Sequence, residues 1–259
     1  MLTNYALIST SFGILRSLAL GALLLRMASA QVNPNQPDST SSALVKQRVS
    51  DALKRIKQGK FFPVDAAIVA EAGAVQAIPD LKRQFEVTND LNFKDSIASA
   101  LIRLGDKDHG PWDYLVQGVA DVVTSDIPSP QRFDSNGRML PGPSPEYIAW
   151  AKAHNLTQDG ADETVMHNLS KVLYLGETGD KRAIPLLRQA LFSKDYMIQT
   201  AGARGLAELQ DKSSIPLIIE ACELAPADAA AAIARPLLDF NDPKAQAAAK
   251  EFRPEKDQR

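Results

Sequence analysis

Apolar and small residues recur at helical spacing from about Ala43 onward, three and four positions apart, as one buried helix face requires. Two stretches show it best. Residues 93–106 (FKDSIASALIRLGD) superpose on residues 198–211 (IQTAGARGLAELQD), with Ala98 on Ala203, Ala100 on Gly205, Leu101 on Leu206 and Leu104 on Leu209. Gly202 and Gly205 each cost a helix about 1 kcal/mol. The pattern therefore predicts that close packing against neighbouring helices compensates. Residues 229–242 repeat the design with Pro236 as an expected kink, and LGETGD (175–180) ends another such helix.

A second pattern precedes each of these helices. DKRAIPLLRQAL (180–191) returns 31 residues later as DKSSIPLIIEAC (211–222), with six of twelve positions identical. Asp180, Asp211 and Asp242 are evenly spaced, and each is placed to accept hydrogen bonds from the free N–H groups of a starting helix. Pro243 sits at a first helical position, where its missing N–H costs nothing. Pro185 and Pro216 fall deeper and predict a bend in the first turn. Hairpins of this kind cannot bury their apolar stripe alone, and stacking buries it. The expected fold is all-α: an α-solenoid of tandem antiparallel helical hairpins over residues 44–252. The units are 44–73, 74–105, 106–179, 180–210, 211–241 and a half-repeat at 242–252.

One unit breaks the period. Residues 106–179 hold a proline-rich inserted loop at 125–160 with five of the sixteen prolines, followed within it by a short helical stretch, PEYIAWAKAH. Insertions in repeat arrays fall on one face, often the binding face. Two readings stand side by side. Phe133, Tyr147 and Trp150 shape a binding surface, or they pack on the adjoining hairpins as local core. Trp112 lies near the base of the loop and packs under it in either reading.

The chain resembles the HEAT-like repeats, especially the short variety of phycobilisome-lyase-type proteins. The resemblance rests on Ala77-Ile78-Pro79, Ala183-Ile184-Pro185 and Ser214-Ile215-Pro216, and on the Ala-x-Ala-Leu cores and Leu-Gly-Asp ends of the second helices. It implies a scaffold for another protein or peptide, with no catalytic residues attached to the repeat. Lyase-like activity is the enzymatic precedent it implies. Such proteins usually carry an Arg early in the second helix; here Lys94, Gln199 and Ala230 stand there. Lys94, Gln199, Arg204 and Glu208 hold polar positions in the small-residue helices and are candidate binding residues.

Composition narrows the rest. The chain has 259 residues, 45% apolar, 6% aromatic and net charge −2. No global basic field exists to attract nucleic acid. Residues 1–30 carry Arg16 and Arg26, no acid, an apolar run SLALGALLL (17–25) and a small-x-small Ala28-Ser29-Ala30. That order of parts reads as a secretory signal peptide, and the run is too short for a membrane span. The expectation is an exported protein, periplasmic or secreted, with a disordered linker at 31–43 and a frayed tail at 253–259. The single cysteine, Cys222, allows no intramolecular disulfide and stands at an apolar repeat position, where it reads as a buried thiol.

Candidate chemistry is thin. His154, Asp159, Asp162, Glu163 and His167 cluster in sequence, without a recognised metal-ligand spacing. Asp126, Asp134 and Glu146 are the carboxylates of the loop, and nothing in the sequence sets them opposite each other. No cofactor is expected.

Overall fold

The computed structural model describes residues 39–252. The expected leader, residues 31–38 of the expected linker and the tail at 253–259 lie outside the described residues. Helix α1 (Ser39–Gln58) starts earlier than the apolar pattern suggests, so residues 39–43 are helix rather than linker. Small polar residues cost little helix propensity when a Lys- and Leu-rich stretch continues the helix.

Among the described residues, twelve α-helices build five hairpins and a closing helix. The first pairs α1 with α2 (Pro63–Glu71), and the second pairs α3 (Ile78–Val87) with α4 (Leu91–Arg103). The third begins with α5 (Gly110–Val123). Its chain then makes a short antiparallel ribbon, β1 (Arg132–Phe133) with β2 (Met139–Leu140), and helix α6 (Pro145–Ala153) before α7 (Gln158–Glu177). Helices α8 (Ile184–Ala190) and α9 (Tyr196–Glu208) form the fourth, α10 (Ile215–Leu224) and α11 (Ala227–Ala234) the fifth, and α12 (Pro243–Glu251) ends the stack. The second helices pack in order, α2 on α4, α4 on α7, α7 on α9 and α9 on α11. This is an all-helical repeat solenoid.

The repeat starts differ from the sequence reading in a telling way. A turn of 3₁₀-helix (Lys181–Ala183, Lys212–Ser214) precedes α8 and α10. The α-helices open at Ile184 and Ile215, so Pro185 and Pro216 fall in their first turns and bend nothing. Asp180 accepts from the Arg182 N–H, and Asp242 from those of Lys244 and Ala245, as caps should. Asp211 does not cap. Its carboxylate accepts from the hydroxyls of Ser213 and Ser214 and pairs with Arg188 of the preceding hairpin at 2.8 Å. Lys82 makes the equivalent tie one solenoid segment earlier, reaching Asp106 at 3.5 Å and Asp108 at 2.9 Å. At the far end, Pro236 converts α11 into a 3₁₀ turn (Arg235–Asp239) instead of kinking it.

The second helices end on left-handed residues. Gly105 and Gly179 have φ of 77° and 72°. Gln210 takes the same role at φ 51°, where a side chain is strained. That side chain is also occupied: its amide donates to the carbonyls of Ala207 and Asp239 and its oxygen accepts from Asn241 N–H.

Close packing of the small residues is as the pattern predicts. A Cβ added at Gly176 would lie 2.7 Å from the Cα of Gly205, and one at Gly202 would lie 2.8 Å from the Leu187 carbonyl oxygen. The apolar core falls into two clusters. One fills hairpins one and two around Ile56, Leu81, Ile97 and Leu101. The other runs from Leu115 and Val172 through Leu206 and Ile218 to Phe240. Phe85 packs against both.

Candidate interaction surface

The insertion is held in place by its own hydrogen bonds. Ser144 closes its base: its N–H donates to the Pro130 carbonyl (2.9 Å), its hydroxyl donates to the Ser129 carbonyl (2.7 Å), and its oxygen caps α6 by accepting from Tyr147 N–H. Asp134 accepts from the N–H groups of Asn136 and Arg138 and so shapes the ribbon turn. The turn then docks two hairpins away. Gly137, at φ 74°, donates its carbonyl as acceptor to Asp228 N–H, and Asp228 in turn accepts from Met139 N–H at 2.7 Å. A Cβ at Gly137 would stand 2.4 Å from Ala227 N, so only glycine permits this approach. Midway, Phe133 meets Tyr196 edge-on at 5.3 Å. The loop is therefore an arm that leaves hairpin three, crosses the start of α9 and fastens to the α10–α11 turn.

The candidate side chains divide. Tyr147 is wholly buried and stacks on Trp150 at 5.9 Å, and both pack with Ala151, Ala161 and Val165 as a small core. Its hydroxyl donates to Asp162 at 2.9 Å. Of the two readings of the arm, local core describes Tyr147; it presents no surface. Trp112 does not pack under the loop: the Arg182 guanidinium covers its ring at 4.1 Å, held by Asp180. Lys94 sits over the rings of Phe85 (5.0 Å) and Tyr114 (5.4 Å), a half-buried cation–π contact. Gln199 donates to the Ser193 carbonyl and braces the α8–α9 turn. Arg204 lies between Glu177 (3.7 Å) and Glu208 (3.8 Å) on the second-helix layer. Burial holds the Glu177 carboxyl above its usual range, against the pull of Arg204 and Arg103.

Sequence reasoning missed a different feature. The turns inside the hairpins carry large exposed apolar side chains: Phe62 (63% exposed), Val87 (64%), Phe192 (47%) and Leu224 (73%). Because first and second helices alternate direction, these turns share one edge of the stack. Beside the arm, Phe192, Tyr196, Gln199, Ala221 and Leu224 line a shallow cleft of about 180 Å³ with Lys194 at its rim. The missed signal was simple: an apolar residue at each turn, where turn chemistry favours polar ones.

The residues proposed for metal chemistry disperse. The exposed His154 turns to the Trp150 carbonyl, Asp162 to Tyr147 and Gln158, and His167 faces Asp95 across 3.5 Å. Among the described residues no three His, Cys, Asp or Glu side chains come together as metal ligands. Asp126 and Glu146 are exposed on the arm. Cys222 is buried, and burial pushes its thiol up to about 12, which keeps it protonated and unreactive.

Residues 161–238 match the family model for HEAT repeats. This stretch spans α7 through the fifth hairpin, the part where the arm docks and the cleft opens. The chain is thus similar to HEAT-repeat proteins over its second half. No curated protein matches it. No helix among the described residues is long and apolar enough to cross a membrane.

Proposed function

We propose that this protein is a non-enzymatic scaffold of the cell envelope that binds another protein or peptide along the edge formed by its hairpin turns. HEAT repeats are commonly protein-interaction scaffolds, and the matched segment contains the cleft. One observation carries the choice of surface. Phe192 and Leu224 are 47% and 73% exposed on either side of that cleft, while the aromatics of the arm are spent on packing. Side chains of that size contribute about 1.5–3 kcal/mol each when they pass from water into an apolar contact. The arm sets one wall of the surface, and the leader read at residues 1–30 supports export. A lyase-like enzyme would need a site inside the insertion, where Phe133, Tyr147 and Trp150 already have partners.

The test is photo-crosslinking from a reactive side chain at position 224 in the native envelope fraction, beside Phe192→Asp and Leu224→Asp variants in pull-downs. A discrete adduct, lost in the aspartate variants while their Tm stays within a few degrees of the parent, supports the reading. Equal capture by both variants would move the site off this edge. Point substitutions serve better than removal of the arm, because removal would strip Tyr147 from its core.

A further inference from the structure

The two apolar clusters meet at α4, and the meeting is polar. Asp95 is entirely buried there. Its Oδ1 accepts from the Tyr114 hydroxyl of α5 at 2.9 Å, and its Oδ2 stands 3.5 Å from His167 Nδ1 of α7. The Ser99 hydroxyl is buried one turn further along α4. Lys94 seals the side toward α3 by lying over Phe85 and Tyr114. The charged and titratable groups around the pair are Asp90 and Lys94 from α4, Tyr114 from α5, and Lys171 and Tyr174 from α7.

Burial disfavours charge on both members. It raises the Asp95 carboxyl to about 7, opposed by the Tyr114 hydrogen bond and by Lys171. It lowers the His167 imidazole to about 4, and Lys171 adds to that. Below neutrality the pair therefore holds one proton, and the proton rests on the carboxyl. A neutral carboxyl has what the site needs: its O–H donates to Nδ1 while its other oxygen accepts from Tyr114. Once the proton leaves to solvent, a carboxylate faces an uncharged ring nitrogen with no hydrogen between them. Charging the imidazole instead would add a second buried ion.

We propose that Asp95 and His167 form a proton-operated latch: the protonated carboxyl bridges α4 to α7, and loss of that proton loosens hairpins one and two from hairpins three to five. The consequence is a solenoid whose curvature softens at one seam, while the joints on either side stay rigid.

The experiment is hydrogen exchange on the full chain at pH 6 and pH 8, reading α4 and α7 amides against α10 amides as the internal reference for base-catalysed exchange. The relative protection of α4 and α7 is expected to fall by about tenfold in the parent, one pH unit above the midpoint being a factor of ten. Asp95→Asn keeps a permanent N–H donor and the Tyr114 acceptor, so its relative protection stays flat. A flat parent, or the same fall in both proteins, overturns the latch. Should Asp95→Asn fail to fold, the Asp95 carboxyl ¹³C shift in the parent decides: a transition between pH 6 and 8 supports the latch, and a carboxylate already charged at pH 5 overturns it.

Discussion

Two joints of this solenoid solve one packing problem in opposite ways. Between hairpins three and four, α7 and α9 touch through Gly176 and Gly205, and the backbones approach until a Cβ would be 2.7 Å from its neighbour. Between hairpins two and three, α4 and α7 meet through Asp95 and His167 at 3.5 Å, with Tyr114 completing the site. The first joint is dry and tolerates almost no change of volume. The second is held by directional bonds and responds to protons. Rigidity in a repeat protein is thus a property of each interface rather than of the fold.

The largest effect is expected at the dry joint. Gly176→Ala drives a methyl into the Gly205 backbone. It should cost about 2–3 kcal/mol despite a helix-propensity gain of about 1 kcal/mol, read as a lower urea midpoint at unchanged slope. An unchanged midpoint would show that the joint can slide apart. At the polar joint, Tyr114→Phe leaves the buried Asp95 Oδ1 without its donor. A loss of about 1–2 kcal/mol is expected, and the carboxyl should titrate higher than in the parent.

The pH profile sharpens the contrast further. Asp95 and Asp195 are raised by burial, to about 7 and about 6, so the folded state keeps protons that the unfolded chain has lost above about pH 4. Each makes stability fall as pH rises from about 4 toward its folded value, by up to about 1.4 kcal/mol per pH unit. His167, lowered to about 4, acts in the other direction between about 4 and 6.5. The parent should therefore lose stability from about pH 4 to 6 with the slope of about one group, and again close to pH 7. In His167→Gln the rising contribution is gone, and urea midpoints should decline more steeply between pH 4 and 6. A parallel profile would mean that His167 does not titrate below its ordinary range.

The smallest effect belongs to the surface of the second-helix layer. Arg204→Ala breaks ion pairs of 3.7 and 3.8 Å on partly exposed side chains. It should change stability by no more than about 0.5 kcal/mol. A larger change in Tm would make that belt a structural element of the joint between α7 and α9.

Much of this arrangement was legible before the structure. The 105-residue offset that superposes Leu101 on Leu206 reappears as α4 and α9, each thirteen residues long and each opened by an Asp, Asp90 and Asp195, that accepts from a first-turn N–H. Periodicity of small and apolar residues reports helix faces directly, because a helix must bury one stripe. The small core of the arm was one of two readings left open, since an aromatic at a given spacing serves a surface or a core equally well. Asp211 was misread for a related reason. A carboxylate before a helix looks like a cap, and nothing local says that Arg188 arrives from 23 residues away to claim it.

By itself the sequence determined the all-helical class, the repeat length, the hairpin boundaries and the place of the insertion, all of which depend on local spacing along the chain. Only the tertiary structure decided where the arm fastens, which turns expose Phe192 and Leu224 beside a cleft, and that Asp95 and His167, 72 residues apart, face each other inside a seam. These are contacts between segments distant in sequence. Their energies depend on burial and on distances of a few ångströms, which the order of residues does not contain.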